Sequence, residues 1–235
     1  MKLSNIGTIN DTVQYHSDLL PTVWTQWEMN PVIRNRLMEI AKVFINYLEI
    51  EDFKTTDIVL TGSLANFNYT KFSDFDLHVV TDYKDLKCDD LAEALYRAKK
   101  QIWNDQHDIT IIGHEVELYI EDVNHSPVSA GIFSILKNKW VKQPEFARPE
   151  YSKQAVNRKA QSLIDLISKT IRYADSDDEY NRVIEKLRRM RRSGLDRGGE
   201  FSTENLAFKV LRNTKWIDRL HDAASSFTDN TLSIK

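Results

Sequence analysis

Residues 60–80 read LTGSLANFNYTKFSDFDLHVV. Both ends are hydrophobic. The middle holds Gly62-Ser63 and then Asp74-Phe75-Asp76, with ten residues between Ser63 and Asp74. Asp57 to Leu60 (DIVL) reads as a short strand, Gly62-Ser63 as a sharp turn into a short helical or irregular segment, and Phe75 to Val80 as a second strand. Aspartates at i and i+2 on a strand share a face. Left unpaired they repel each other, and burial raises their pKa values. A divalent cation removes the conflict. Hard carboxylate oxygens suit Mg²⁺ (or Mn²⁺), and Mg²⁺ keeps several waters and needs one or two protein carboxylates plus substrate phosphates. Gly62 lets the backbone approach closely, and Ser63 offers a hydroxyl and an amide near a helix N-terminus, a ready anion site. A bare D-x-D equally describes a solvated pair at a strand end. The complete arrangement of apolar strand, Gly-Ser turn and Ser-Asp-x-Asp flanked by apolar residues is what points to chemistry.

Outward from this stretch, Asn30 is a natural N-cap and Pro31 a natural first residue for a helix over Pro31–Leu48, with Ile33, Leu37, Ile40, Ala41, Phe44 and Leu48 at helical spacing. A second helix is expected over Asp89–Trp103, with Leu91, Leu95, Ala98 and Ile102 on one face. The segment ITIIGHEVELYIED (109–122) predicts two strands joined at Gly113-His114. In the second strand Val116, Leu118 and Ile120 alternate with Glu115, Glu117 and Tyr119, giving one apolar face and one acidic face. GIFSILKNKWV (131–141) predicts a hairpin turning at Lys137-Asn138. After Tyr151 the pattern becomes helical. One long helix carries Val156, Ala160, Leu163, Ile167 and Ile171, and a second carries Tyr180, Ile184 and Leu187. A third, capped by Ser202 or Thr203, carries Leu206, Val210, Leu211, Ile217 and Leu220. The expected class is α+β, with a mixed sheet and flanking helices over 1–145 and a helical domain over 150–235.

GSLANFNYTKFSDFDLHVV resembles the G-S-x(10)-D-x-D signature of the nucleotidyltransferase superfamily that includes DNA polymerase beta. The close resemblance covers roughly residues 58–120. The chain also resembles nucleotidyltransferase-like proteins of tailed phages, through GSLANFNYTKFSDFDLHV, NKWV and GEFSTENLAFKVLR. The resemblance implies a metal-dependent transfer of a nucleotidyl group from a nucleoside triphosphate to an acceptor hydroxyl, with release of pyrophosphate. Asp74 and Asp76 would serve as catalytic metal ligands. It also implies a third carboxylate on a neighbouring strand. Glu117, flanked by Val116 and Leu118, matches that place, with Glu115 on the same face as runner-up; both also fit an exposed acidic face. Gly62 and Ser63 would hold phosphates. The sequence departs from the family at LANFNYT, where relatives often carry a glycine just after the Gly-Ser pair.

Other cations are candidates for nucleotide contact. Lys71 lies in the loop before Asp74, where a solvated lysine is also expected. KLRRMRRSGLDRGG (186–199) is the most basic stretch, and Arg188 and Arg192 share a helix face. Lys209 and Arg212 follow in the third C-terminal helix. The resemblance makes this helical region a possible holder of triphosphate or of an RNA acceptor; a solvated helix end is the plain alternative. RNA (particularly a tRNA end), a protein hydroxyl and a small molecule all remain open as acceptors. A nucleotide-binding or inhibitory protein on the same fold is the competing reading.

The 235 residues carry 41% hydrophobic and 29% charged residues, enough for a core without disulfide or structural metal. Cys88 is the lone cysteine, which favours a reducing compartment. Met1 leads into a segment with no apolar stretch of the signal-peptide kind, and no 18-residue apolar run offers a membrane span. The expected location is therefore the cytoplasm, the host's if the chain is phage-encoded. The net charge of -3 argues against a generally basic nucleic-acid coat but leaves room for a local patch.

Overall fold

The computed structural model describes residues 12–85, 89–125, 129–146 and 149–234. Cys88 and residues 1–11, on which part of the compartment reading rests, lie outside them. The chain divides into two compact units, Tyr15–Ala147 and a second made of Arg148–Lys235 with the described residues 12–14.

In the first unit, β1 (Trp24–Thr25) and β2 (Glu28–Met29) form a small antiparallel ribbon. Helix α1 (Pro31–Tyr47) follows, its first turn capped by Asn30, whose side chain accepts from Val32 N at 2.9 Å. Its buried stripe is Ile33, Leu37, Ile40, Ala41 and Phe44, as the spacing predicts. Next come β3 (Asp57–Thr61), β4 (Phe75–Thr81), α2 (Asp89–Gln106), β5 (Thr110–Ile111), β6 (His114–Asp122), β7 (Ile132–Ser134) and β8 (Lys139–Lys142). The larger sheet has six strands in the order β5-β6-β4-β3-β7-β8. β4 and β6 are parallel and the other pairs antiparallel, so the sheet is mixed.

Alternation on β4 and β6 separates the two faces. Phe75, Leu77, Val79, Val116, Leu118 and Ile120 enter one core with Leu37 and Phe44 of α1 and Tyr96 and Trp103 of α2. Each fully buried aliphatic side chain is worth about 1.5–3 kcal/mol relative to exposure. Asp76, His78, Glu117, Tyr119 and Glu121 are left on the opposite face. β6 pairs with β5 only at its start, and Asn104 of α2 takes over beyond it. The Asn104 amide donates to Leu118 O and accepts from Leu118 N, both at 3.0 Å.

Helix α2 corrects one expectation. Leu91, Leu95 and Ile102 are 65%, 41% and 46% exposed, whereas Ala92, Tyr96 and Trp103 are buried. The aromatic residues fix the helix rotation, because an aromatic ring buries more area than a leucine. Trp103 packs on Phe44 and Tyr47, and Tyr96 on Phe53 and Tyr83.

The second unit is helical: α3 (Lys153–Tyr173), α4 (Asp177–Gly198), α5 (Thr203–Asn213) and α6 (Trp216–Leu232). Its core gathers Val156, Ala160, Leu163, Ile167, Ile184, Leu187, Leu206, Val210 and Leu220. Ser202 caps α5, accepting from Asn205 N at 3.3 Å. The single helix expected to follow Ser202 or Thr203 and carry Leu206 through Leu220 is two. Thr214 Oγ1 donates to Val210 O at 2.7 Å, and Lys215 adopts φ +60, which ends one helix and starts the next. The chain is thus α+β, a mixed sheet flanked by helices and followed by a helical C-terminal region. Among the described residues no helix is long and apolar enough to cross a membrane.

Candidate functional site

Strand register builds the site. Thr61 on β3 pairs with Asp76 on β4, and Asp76 pairs with Glu117 on the parallel strand β6. Three polar residues from distant parts of the sequence therefore form one row across the sheet. Two residues further along, His78 pairs with Tyr119. Asp74 lies just before β4 begins and is half-buried, so it is a loop residue at the strand entrance rather than a strand partner of Asp76.

Gly62 adopts φ +75, and a Cβ there would meet Asp76 Oδ2 at 1.7 Å. The Asp76 carboxylate thus lies against the Gly62 backbone, and glycine satisfies both the left-handed conformation and the close approach. The Gly62 N–H donates to Ser129 Oγ at 3.3 Å. Ser63 opens a three-residue 3₁₀ turn, Ser63–Ala65. That turn is too short to present the helix N-terminus expected from the sequence, since one turn aligns few peptide dipoles. The Ser63 hydroxyl instead donates to Ser73 Oγ at 2.8 Å, which in turn accepts from Thr70 N at 2.8 Å. His114 Nδ1 lies 2.6 Å from Ser73 O, an oxygen that only accepts, so that nitrogen carries the proton. The loop from the turn to the acids is thereby tied down at both ends.

The two β6 glutamates differ in position. Glu115 is exposed and pairs with Thr110 of β5, away from β4's strand residues. Glu117 is half-buried and faces Asp76. Its Oε2 accepts a close hydrogen bond from the Tyr119 hydroxyl. His78 is a packed, hydrogen-bonded residue. Its Nε2 sits 3.1 Å from Thr61 Oγ1, its Nδ1 3.2 Å from Glu121 Oε2, and its ring stacks on Tyr119.

Lys100 is a residue that sequence reasoning missed. It comes from α2, and its Nζ lies 4.1 Å over the Tyr119 ring. Burial pushes its pKa below the usual lysine value, while the charges of Glu117 and Asp76 pull it partly back. Clefts of about 450 and 210 Å³ open beside Lys100, the first lined by Tyr119 and Glu121, the second by Glu115, Glu117 and Asn104. No local pattern marks Lys100, because it reaches the acids only once α2 wraps the β6 edge. Tyr119 was legible as a member of the acidic face, though not as a donor to Glu117.

The donor chemistry fits a hard divalent cation that takes one or two protein carboxylates and completes its shell with phosphate and water. Among the described residues no group of three or more His, Cys, Asp or Glu side chains is gathered as a ready ligand set. Lys71 is exposed in the loop, its ammonium 5.0 Å over the Phe72 ring. In the helical unit, Arg188 and Arg192 line a cavity of about 290 Å³ with Arg191, Leu195 and Phe208. Arg188 also pairs with Glu185 at 2.8 Å, and Arg191 lies 4.8 Å over the Phe208 ring. Lys209 is committed to Glu200 at 2.9 Å, and Arg212 is exposed on α5.

No protein-family model matches the chain, and no curated protein does. Among solved structures it is similar to the STING-associated CdnE c-di-GMP synthase from Capnocytophaga granulosa, at 16% identity over 86% of this chain and 83% of that one, with a TM-score of 0.24. A score of that size carries neither fold nor function across to this chain.

Proposed function

We propose that the chain is a nucleotidyltransferase that moves a nucleoside monophosphate from a nucleoside triphosphate to an acceptor hydroxyl. The observation that carries the reading is the in-register pair Asp76–Glu117 with the Gly62 turn laid against the Asp76 carboxylate. Asp74, Asp76 and Glu117 would hold Mg²⁺ or Mn²⁺, which supplies charge neutralisation on the triphosphate and a lowered pKa for the acceptor hydroxyl. The chain's own residues orient the substrates. The Gly62–Ser63 turn seats the Asp76 carboxylate, and Lys71, exposed in the same loop, is the candidate phosphate contact. Tyr119 fixes the rotamer of Glu117. Lys100 adds a cation beside the acid row, matched to a polyanionic substrate. Positioning and electrostatics then supply most of the rate. Within the helical unit, Arg188, Arg192, Lys209 and Arg212 are candidates for contact with the phosphates of an RNA acceptor; a protein hydroxyl is the competing acceptor.

Incubation with Mg²⁺ or Mn²⁺ and each labelled triphosphate in turn should release pyrophosphate and label an acceptor, and Asp76→Ala should abolish both. No turnover of any triphosphate, with Asp76→Ala behaving as the parent, would sink the reading. A second reading, a nucleotide-binding or inhibitory protein, is favoured by the engagement of Glu117 with Tyr119. Calorimetry separates the two: nucleotide binding without product, surviving the loss of Asp74, supports the second.

A further inference from the structure

The ribbon at the start of the first unit carries a feature that nucleotidyl transfer does not use. Gln26 and Trp27 link β1 to β2 as a two-residue turn, and both have positive φ, +49 and +70. Such turns favour Asn-Gly, because a side chain at positive φ crowds its own backbone. A tryptophan at φ +70 is a costly choice, and backbone strain of this kind concentrates where a side chain must be presented.

Trp27 is presented to a cleft of about 440 Å³, and its lining includes Trp24, Phe67, Phe146 and Asp18. The volume suits a small ligand. Trp24 and Phe67 are buried and form the floor, while Trp27 and Phe146 remain 43% and 59% exposed at the rim. Phe67 meets Trp27 edge-on at 6.2 Å and Phe146 edge-on at 5.5 Å, so the rings are held at angles to one another rather than closed into a stack. Among the described residues lining the cleft, Asp18 carries the charge and no lysine or arginine is present. Asp18 Oδ2 accepts from Ser17 Oγ at 2.7 Å, which fixes the carboxylate at the rim. Aromatic faces with one carboxylate attract a cation and repel a phosphate. The floor is rigid: Trp24 Nε1 donates to Leu64 O at 2.7 Å, and Phe67 O accepts from His16 N at 2.8 Å.

We propose that this cleft binds a small organic cation, a guanidinium or alkylammonium group on an apolar stem, held by Trp27 and Phe146 and charge-paired with Asp18. The site stands independently of the nucleotidyl-transfer reading. An occupant would rest on the same loop that carries Ser63, since Phe67 lines the cleft and Leu64 O accepts from Trp24 of its floor.

Titration of the full chain with N-butylguanidinium, followed by indole N–H shifts in NMR spectra, tests it. Expected is saturable binding about tenfold tighter than that of the neutral isostere N-butylurea. Asp18→Asn should erase most of that preference while the circular-dichroism spectrum stays unchanged, because Asp18 is exposed. Trp27→Gly should abolish saturation while the circular-dichroism spectrum stays that of the folded chain, since glycine suits the turn. Equal binding of the urea, tighter binding of adenosine, or titrations unaffected by Asp18→Asn would overturn the proposal. An arginine-containing hexapeptide binding more tightly than the free cation would assign the cleft to a protein partner and overturn the small-ligand assignment.

Discussion

The two ends of the β3–β4 pair hold carboxylates in opposite ways. At one end Asp57 is buried, and its charge is met by Ser134 Oγ at 2.6 Å, Lys137 Nζ at 2.8 Å and the Ile58 N–H at 2.8 Å. At the other end Asp76 faces a second carboxylate, Glu117, and presses on a glycine. The Asp57 end spends its charge on holding β3 to the β7–β8 hairpin. The Asp76 end sets two acids side by side, with the charge of Lys100 acting on both. On the proposed function, Asp57 is the structural carboxylate of this strand pair and Asp76 the working one.

The sharpest test of that contrast is Asp76→Asn. On the proposed function it should lower triphosphate turnover by about 10³-fold, roughly 4 kcal/mol, while the circular-dichroism spectrum stays unchanged, because the amide is isosteric with the carboxylate. A variant that unfolds with turnover per folded molecule unchanged would make the two ends alike and end the comparison. Gly62→Ala should cost about 3 kcal/mol in denaturant unfolding, because the new Cβ meets Asp76 Oδ2 in a left-handed backbone; pairing it with Asp76→Gly should recover part of the loss. Glu117→Gln should reduce turnover about 10²-fold and Glu115→Gln by less than about threefold. The reverse ranking in steady-state kinetics would move the third acid to Glu115.

Asp57→Ala should do the opposite of Asp76→Asn, destabilising by about 2 kcal/mol with turnover per folded molecule unchanged, since the fully buried Ser134 hydroxyl loses its acceptor. The smallest effect is expected at Lys100. Its folded pKa lies below the unfolded value of 10.5, so between the two the unfolded chain binds more protons and stability rises with pH. Urea midpoints measured from neutral pH up toward that value should show this slope in the parent and lose it in Lys100→Met.

Much of the fold was readable because its signals are local. The Asn30–Pro31 start and apolar spacing of α1, and the alternation in HEVELYIED, depend on neighbours within one element. The rotation of α2 was not readable in the same way. Leu91, Leu95 and Ile102 form as good a stripe as Ala92, Tyr96 and Trp103, and the larger rings prevail only when Phe44 and Phe53 are there to receive them. The break at Thr214–Lys215 was missed because a single threonine bonding back to Val210 leaves the apolar period intact.

For the site, the sequence by itself determined which residue types are present and which share a strand face: Gly62 and Ser63 at a turn, Asp76 and His78 on one face, Glu115, Glu117 and Tyr119 on another. Period-two geometry fixes that much without any partner strand. Only the tertiary structure decided that Glu117 rather than Glu115 stands opposite Asp76, because register between parallel strands is set by the packing of both elements and not by either alone. It also decided that Asp76 lies on Gly62, that Tyr119 holds Glu117, and that Lys100 joins them from a helix wrapping the sheet edge. The Gly62–Asp76, Lys100–Tyr119 and Asp76–Glu117 pairs lie 14, 19 and 41 positions apart in the chain, and a charge's chemistry depends on such neighbours.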